Sequence, residues 1–378
     1  MKILHVIDSG GLYGAEVVLL NLMEAQEKIG LQSSLLSIGA TGLHSKVIET
    51  EATKRGLESS SLRFQNGFNL RGSRKILQHV ITSGADIIHS HGYKGDILLG
   101  IIPRGLRKVP VITTQHGWTS TSFFSKMRLY EWIDTLLMKS LDGVVVVSSA
   151  MQNHPRLRML GIRPVVINNG LPSLNFEPDA LLKECPEVAK DCQNKFKIIS
   201  VGRLSHEKGV DILIQAVADL LCRNIDICLV LVGEGSEGFS LQDLAKNKGL
   251  SDRVHFVGYR EKAYQLFPYF DLFVLPSYTE GLPITLLEAM QAAIPVVATR
   301  VGEVPKVLDE GRYGRLVPPG DPEELVNGIL EVYENREQAK KKALVARDRA
   351  LAEYGVEKMA TKYLDLYRSV LSGTGVRA

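Results

Sequence analysis

Short apolar runs rich in valine and isoleucine recur along this chain, and each is followed by a stretch with the spacing of an amphipathic helix. Such runs are typical of strands buried on both faces of a sheet, and their alternation with helices predicts parallel βαβ units. The runs are 3–7, 31–38, 86–89, 109–114, 143–148 and 165–167 in the first half, and 196–201, 227–232, 254–257, 272–275, 295–298 and 315–317 in the second. Two sets of about six strands predict two α/β domains, each with a doubly wound parallel sheet.

The pattern lapses where the two sets meet. Residues 168–172 close the first set with two asparagines, a glycine, a leucine and a proline, and a polar stretch precedes the next strand. We therefore predict an N-terminal domain over residues 1–172 and a C-terminal domain over residues 190–355. The remaining tail, about 356–378, has the composition of a helix.

Composition narrows the class of protein. A chain of 378 residues with 45% hydrophobic and 23% charged residues is globular rather than disordered or fibrous. Its apolar runs fall far short of the roughly 20 residues that a bilayer span needs, and Asp8 leaves no room for a signal-peptide core. The four cysteines lack CxxC or zinc-finger spacing, which favours reduced thiols. These features predict a cytoplasmic protein.

Charge is unevenly distributed. The formal net charge is only +3, but the part of the chain up to Pro172 is basic and the remainder is mildly acidic. This asymmetry suggests that the N-terminal domain faces an anionic partner. No recognition motif for nucleic acid accompanies it, so we expect none to bind.

Candidate chemistry is sought after each strand, because open α/β sheets bind ligands at the carboxyl ends of their strands. After strand 3–7, Gly10 and Gly11 would let the backbone approach a phosphate. Their spacing is not GxGxxG, which argues against a nicotinamide site, and a plain tight turn explains the glycines equally well. After strand 196–201, Arg203 and Lys208 offer a guanidinium fork and an ammonium group to phosphate oxygens.

The most informative stretch follows strand 272–275. Glu280 stands in a polar loop, and Pro283 leads into a helix that contains Glu288. The free N–H groups at the start of this helix can hold a diphosphate, and the two carboxylates can bind the hydroxyl groups of ribose or a hexose.

Taken together, these motifs resemble the family-4 retaining glycosyltransferases of the GT-B fold, in which two Rossmann-like domains face a cleft. The resemblance runs in order through nearly the whole chain and is carried by Gly10-Gly11, His89-Ser90-His91, Thr114-Gln115-His116-Gly117, Gly202-Arg203-Leu204 with Lys208-Gly209, Gly233-Glu234-Gly235, and Glu280-Gly281-Leu282-Pro283 with Glu288. Two departures concern donor contacts: Pro172 replaces the usual aspartate after Asn-Gly-hydrophobic, and Val301-Gly302 replaces the usual glycine pair. The family's final helix usually returns to the first domain, which we expect of residues 356–378.

The resemblance implies a role for each matching residue. Arg203 and Lys208 would hold the donor diphosphate and stabilise the leaving group. Glu280 would hold hydroxyl groups of the transferred sugar, and His116 would lie near its reacting carbon. The catalytic set is thus Glu280, His116, Arg203 and Lys208, and the remaining donor-binding residues are Gly10, Gly11, Gly233, Tyr259, Gly281, Leu282, Pro283, Ile284, Thr285 and Glu288.

The implied activity is retaining transfer of a hexose-type sugar from a UDP- or GDP-sugar to a saccharide or lipid-linked acceptor, in surface polysaccharide or glycolipid assembly. A nucleotide-sugar 2-epimerase of the same fold and a catalytically silent nucleotide-sugar-binding scaffold remain alternatives. The sequence has no Asp-x-Asp metal motif between strands, so we expect neither an essential divalent metal nor a cofactor; the nucleotide sugar is the substrate.

Two further expectations concern the N-terminal domain. The basic and aromatic segment 123–133 suggests an amphipathic helix that rests on an anionic membrane at the inner face of the cell, although a core-facing helix fits equally well. His89 and His91 are expected to lie on opposite faces of their strand, which would leave a zinc site there without a third ligand.

Overall fold

Both predicted sheets are present, and each is parallel throughout. A computed structural model describes residues 1–65, 69–117, 126–177 and 180–373. The chain divides into two compact units, Met1–Pro172 with Gly355–Ala378, and Ser173–Tyr354. The predicted fold class, two α/β domains with doubly wound parallel sheets, is confirmed.

Within the described residues, the first unit has a seven-stranded sheet in the order β3-β2-β1-β4-β5-β6-β7. Its strands are β1 (Lys2–Ile7), β2 (Gln32–Ala40), β3 (Glu58–Phe64), β4 (Ile87–His91), β5 (Val111–Gln115), β6 (Gly143–Val146) and β7 (Val165–Val166). Its helices before the boundary are α1 (Gly14–Lys28), α2 (Val47–Lys54), α3 (Leu70–Ser83), α4 (Tyr93–Gly100), α5 (Arg104–Arg107), α6 (Lys126–Met138), α7 (Ser149–Gln152) and α8 (Pro155–Met159).

The second unit, as far as it is described, has a six-stranded sheet in the order β10-β9-β8-β11-β12-β13. Its strands are β8 (Phe196–Val201), β9 (Ile227–Val232), β10 (Val254–Phe256), β11 (Leu272–Leu275), β12 (Val296–Thr299) and β13 (Arg315–Val317). Its helices are α9 (Ala180–Glu184), α10 (Pro186–Asp191), α11 (Val210–Cys222), α12 (Gly238–Asn247), α13 (Ile284–Gln291), α14 (Val304–Val307), α15 (Pro322–Glu334) and α16 (Arg336–Glu353).

The last helix, α17 (Val356–Leu371), belongs to the first unit. The chain returns there through a bridge between Leu171 and Gly355, with the Val356 amide donating to the Leu171 carbonyl at 2.9 Å. A Cβ at Gly170 would lie 2.7 Å from the Gly355 carbonyl oxygen, so this crossing needs a glycine. Tyr367 of α17 is fully buried and receives a hydrogen bond from Gln26 of α1.

The connections place the candidate loops at the switch points of both sheets. In the first unit, β1 lies between β2 and β4, and in the second, β8 lies between β9 and β11. Helical connections diverge to opposite sides at such points and leave a crevice at the carboxyl ends of the two central strands. The loops after β1, β8 and β11 carry Gly11, Lys208 and Glu280, respectively, and strand β4 ends at His91.

One prediction about cysteines is wrong. Cys192 and Cys228 form a disulfide, whereas reduced thiols were expected. The partners are 36 residues apart. Cys192 follows α10 and Cys228 lies in β9, so their proximity comes from the packing of a helix against a strand rather than from local spacing. Within the described chain, Cys185 and Cys222 are free.

No helix among the described residues is both long and apolar enough to cross a membrane.

Candidate active site

An ion pair joins the two loops that the sequence singled out in the second unit. Lys208 Nζ lies 2.7 Å from Glu280 Oε1, and the same oxygen accepts a hydrogen bond of 2.6 Å from the Ser277 hydroxyl. The Glu280 side chain is only 7% exposed. Lys208 ends a 3-10 turn at His206–Lys208, just before α11. The structure therefore brings these two candidate residues together at the carboxyl ends of β8 and β11.

Arg203 is placed differently. Its guanidinium lies 3.0 Å from Glu207 Oε1, and its side chain is 67% exposed. A small cavity nevertheless includes both Arg203 and Lys208 in its lining, together with Pro276 and Ser277. Arg203 can thus reach the same crevice, but Glu280 does not hold it there.

Glycines let these loops pack closely. Gly233 has a φ of +137°, and a Cβ there would lie 1.9 Å from the Gly202 carbonyl oxygen. Gly209 has a φ of +60°, and a Cβ would lie 2.3 Å from the Pro276 carbonyl oxygen. A Cβ at Gly302 would lie 2.0 Å from the Glu280 carbonyl oxygen, so Gly302 supports the acidic loop although the motif around it departs from the family pattern. Close contacts between backbone segments therefore require a glycine at each of these positions, whether or not a ligand is bound.

Helix α13 begins beside this ion pair. Pro283 is its N-cap, and Leu282 and Pro283 are buried while Gly281 is exposed. The amides of Ile284 and Thr285 lie in the first turn, where N–H groups have no partner within the helix and carry the positive end of its dipole. Glu288 follows one turn later, and burial raises the pKa of its carboxyl group to about 7.

Two aromatic side chains flank the same edge of the sheet. Tyr259, predicted to lie against the base, is 57% exposed, and its amide donates to Glu234 Oε1 at 3.4 Å. Tyr278 stacks on His206 with ring centroids 5.2 Å apart, an arrangement that sequence analysis missed. The only sequence signal for Tyr278 is its position immediately before the acidic loop.

The glycine loop of the first unit follows β1. The Ser9 hydroxyl donates to the Gly11 carbonyl at 2.5 Å and turns the loop back toward α1. A Cβ at Gly10 would meet no atom within 4 Å, so packing alone does not require a glycine there. Asp8 at the strand end forms ion pairs with Lys46 and Lys94.

His116 follows β5 and is joined to His91, the last residue of β4, with 3.3 Å between His116 Nε2 and His91 Nδ1. The expectation for the β4 pair is wrong: the His89 and His91 rings lie on the same face of the strand, with centroids 4.1 Å apart. Side chains alternate with a period of two, so residues two apart share a face. His5, on the neighbouring strand β1, supplies the third histidine that the sequence did not place.

The three histidines lie close enough together to bind a metal ion, but their ring nitrogens already form hydrogen bonds. Both ring nitrogens of His5, His89 and His91 have hydrogen-bond partners within the protein. Burial lowers the pKa of all three imidazoles, which favours their neutral forms. The arrangement is a buried hydrogen-bonded network.

The candidate residues thus fall into two groups. Arg203, Lys208, Gly233, Tyr259, the loop Glu280 to Pro283, Ile284, Thr285 and Glu288 lie in the second unit, whereas Gly10, Gly11 and His116 lie in the first. Part of segment 123–133 is also placed: α6 starts at Lys126, and residues 123–125 lie outside the described chain.

Comparison with known proteins agrees with this division. Residues 186–349 match the family profile of Glycosyl transferases group 1, and residues 13–173 match that of Glycosyltransferase Family 4. The first match lies wholly beyond Pro172 and the second ends one residue after it, and together they span most of both sheets.

Individual relatives extend the likeness over most of the chain. N-acetyl-alpha-D-glucosaminyl L-malate synthase of Bacillus anthracis is 25% identical, with 80% of each chain covered. D-inositol 3-phosphate glycosyltransferase of Corynebacterium urealyticum is 26% identical over 96% of this chain and 91% of its own. The crystal structure of Anabaena HepE in complex with UDP-glucose superposes with a TM-score of 0.81 at 24% identity and covers 98% of this chain and 100% of its own.

Proposed function

Because the chain belongs to the family 4 glycosyltransferases of the GT-B fold and is therefore a transferase, we propose that it is a retaining hexosyltransferase. It takes a hexose-type sugar from a UDP- or GDP-sugar and passes it to a saccharide or lipid-linked acceptor. The cellular role is assembly of a surface polysaccharide or glycolipid. The UDP-glucose complex of Anabaena HepE, a protein of the same fold, supports a uridine donor as the first choice.

The observation that carries this proposal is the buried contact between Lys208 and Glu280 beside the start of α13. Glu280 orients the ammonium group, and the amides of Ile284 and Thr285 add donors for phosphate oxygens. Glu280 retains lone pairs for a sugar hydroxyl group, and Glu288 would accept hydrogen bonds from the ribose. Together these groups offer hydrogen-bond donors for a diphosphate and acceptors for the hydroxyl groups of a ribose and of a sugar.

The proposed reaction exchanges two bonds at the anomeric carbon. The bond from C1 to the β-phosphate oxygen breaks, and an acceptor oxygen forms a new bond to C1 on the same face. The proton of the acceptor hydroxyl passes to the departing phosphate. Lys208, Arg203 and the α13 amides stabilise the charge that accumulates on this leaving group, which is the usual form of electrostatic catalysis.

No divalent metal is required in this proposal. The diphosphate charge is met by Lys208, Arg203 and the positive end of the α13 dipole. Turnover should therefore persist in the presence of a chelator such as EDTA. Abolition of turnover by EDTA and its recovery on adding Mg²⁺ or Mn²⁺ would overturn this part.

The acceptor is assigned to the first unit, with peripheral contact at the cytoplasmic face of the membrane. Helix α6 exposes Leu129, Tyr130 and Leu136, and the sequence puts Lys126 and Arg128 in its first turn. Apolar side chains beside basic residues favour an anionic bilayer surface. Sedimentation with phosphatidylglycerol vesicles at low salt tests this, and failure to sediment removes the membrane contact from the proposal.

The deciding experiment measures thermal unfolding with UDP-, GDP- and ADP-sugars. A donor at about one hundred times its Kd adds roughly 2.7 kcal/mol to the stability of the state that binds it. NMR of the glycoside formed from the stabilising donor then shows whether the anomeric configuration is retained. Stabilisation by no nucleotide sugar would overturn the proposal, and a donor epimerised at C2 without transfer would identify an epimerase.

A further inference from the structure

A chain of hydrogen bonds runs through the buried imidazoles of the first unit. It starts at His116 Nε2, which lies 3.3 Å from His91 Nδ1. His91 Nε2 lies 3.0 Å from His5 Nδ1, and His5 Nε2 lies 2.8 Å from Gln26 Oε1. His5 and Gln26 are fully buried and His91 is 5% exposed, so bulk water does not compete for these atoms.

Gln26 sets the direction of this chain. Its amide nitrogen donates to the Tyr367 hydroxyl at 3.1 Å, and its carbonyl oxygen accepts a hydrogen bond of 2.6 Å from the Ser33 hydroxyl. The same carbonyl oxygen faces His5 Nε2, and a carbonyl oxygen can only accept. His5 therefore carries its proton on Nε2.

The remaining tautomers follow from the first. The burial of His5 and His116 lowers the pKa of each imidazole to about 4, and burial lowers that of His91 as well, so every ring carries one proton. His5 Nδ1 then accepts from His91 Nε2–H, and His91 Nδ1 accepts from His116 Nε2–H. This leaves His116 Nδ1 as a lone pair.

That nitrogen has a distinctive environment. His116 Nδ1 is buried and has no hydrogen-bond partner among the described residues. With the Gln26 amide turned the other way, all three tautomers would reverse and His116 would bury an N–H group without an acceptor. Orphaned N–H groups are rarer in proteins than unfilled acceptors, which favours the lone pair.

We propose that Gln26, His5 and His91 are positioning residues that hold His116 in its Nε2–H tautomer, so that Nδ1 accepts a hydrogen bond from a hydroxyl group of the substrate. The inference rests on the proposed function for the source of that hydroxyl group, a sugar. A carboxylate or phosphate oxygen offers no proton and would not satisfy Nδ1. The network thus selects a hydroxyl donor and prevents His116 from turning its own N–H toward the substrate.

The test reads the tautomer directly in the full-length protein labelled with ¹⁵N-histidine. Two-bond ¹H–¹⁵N correlations of the wild type should show His116 protonated on Nε2 and unprotonated on Nδ1 at pH 7.5. His5→Phe removes the acceptor of His91 at similar volume, and the His116 signal should change toward the Nδ1–H form. The kcat/KM for the nucleotide sugar should fall about tenfold, as expected for one hydrogen bond.

Two variants separate positioning from general damage. His5→Gln keeps an acceptor toward His91 and a donor toward Gln26, and it should restore both the tautomer and most of the rate. His79→Phe makes the same change on α3, outside the network, and should alter neither. A wild-type His116 protonated on Nδ1, or a tautomer unchanged in His5→Phe, overturns the inference. UDP binding measured calorimetrically on the same samples tests the proposed function separately, because its absence leaves the tautomer signal readable.

Discussion

At the scale of single residues, the contact between Lys208 and Glu280 gives the sharpest test of the donor site. Lys208→Ala removes the ammonium group that would stabilise the leaving phosphate, and we expect kcat to fall by about 10²–10³. Lys246→Ala on the exposed face of α12 is the matched control and should leave kcat unchanged. Coupled detection of released nucleotide measures both. A loss smaller than tenfold in a folded Lys208→Ala protein would contradict the role of this residue.

The raised pKa of Glu288 predicts how the affinity for the nucleotide depends on pH. Burial raises the pKa of this carboxyl group to about 7, and ribose hydroxyl groups bind best to its ionised form. Lowering the pH from 8 to 6 protonates Glu288 in the free protein, so the Kd for the nucleotide should rise by about tenfold. Isothermal titration calorimetry in matched buffers measures the change.

The control for this pH dependence is a change of the same carboxylate to an amide. Glu288→Gln should bind more weakly at pH 8 and show a flat profile between pH 8 and 6. Glu323→Gln, at an exposed position in α15, should keep the wild-type profile. If Glu288→Gln retained the full pH dependence, another group would have to be responsible.

Candidate site residues can be identified from the sequence where a local motif marks them. They are missed where their contacts are with residues far away in the sequence. Lys208 and Glu280 stand in recognisable loops after strands, and the structure places their side chains in contact, which the sequence did not predict. The role of His5 was missed because its partners, Gln26 and His91, lie 21 and 86 residues away in sequence. The sequence does not show whether a histidine inside an apolar run is a packed core residue or a member of a polar network.

At the scale of elements, helices α4 and α6 meet through a pair of buried acids. Asp96 accepts hydrogen bonds from Thr113 at 2.6 Å and Gln115 at 2.7 Å, and burial raises its pKa to about 6. Burial and the charge of Asp96 raise the pKa of Asp134 much further. The raised pKa values mean that the pair holds a proton at neutral pH.

The pKa shifts of these acids predict a loss of stability in alkali. Because the folded-state pKa values lie above the unfolded value of about 4, this stability is complete below pH 4 and is lost as the pH rises through 6 and beyond. The asparagine of Asp134→Asn stays neutral and keeps a hydrogen-bond donor. At pH 9 the free energy of unfolding of this variant should therefore exceed that of the wild type by about 1–3 kcal/mol. Urea titrations at pH 6 and pH 9 measure the difference. Asp365→Asn, an exposed acid on α17, should give no such gain, and an equal gain would refute the assignment.

The sequence pattern predicted elements wherever both faces of a strand are buried. All twelve predicted runs correspond to strands, but the pattern missed β3, whose sequence is ESSSLRF. This strand lies at the edge of the first sheet, pairs only with β2 among the described strands, and buries little besides Phe64. Its pairing depends on backbone hydrogen bonds and on α3 packing against it, and hydrophobic periodicity records neither. Similarly, the disulfide between Cys192 and Cys228 follows from an encounter of α10 with β9 that no local motif encodes.

At the scale of the whole molecule, the order of the chain makes the second unit an insertion into the first. The first unit is complete only when α17 returns, because Tyr363 and Tyr367 are buried against residues from α1, β4 and β5. The second unit closes its own core between β8 and α16. Each unit therefore buries a core of its own, although only one of them is continuous in sequence.

This architecture predicts two separable unfolding transitions with different sensitivities. Tyr367→Ala removes the hydroxyl group that pairs with Gln26 Nε2 and His89 Nδ1 and opens a cavity in the first unit, which costs about 3–5 kcal/mol. Phe267→Ala opens a cavity in the second unit, where the Phe267 ring packs edge-on against Phe273 with ring centroids 5.3 Å apart. Scanning calorimetry should show each substitution lowering a different transition by roughly 10 °C.

Binding of UDP then shows which unfolding transition belongs to the unit that holds the donor site. UDP should raise only the transition that Phe267→Ala lowers, because the proposed diphosphate and ribose contacts at Lys208, Ile284, Thr285 and Glu288 all lie in the second unit. Tyr367→Ala should leave that increment intact and thereby serve as its control. If both substitutions lowered one common transition by the same amount, the two cores would unfold as a single cooperative unit. If UDP instead raised the transition sensitive to Tyr367→Ala, the donor site would have to be sought around Gly11 and His116.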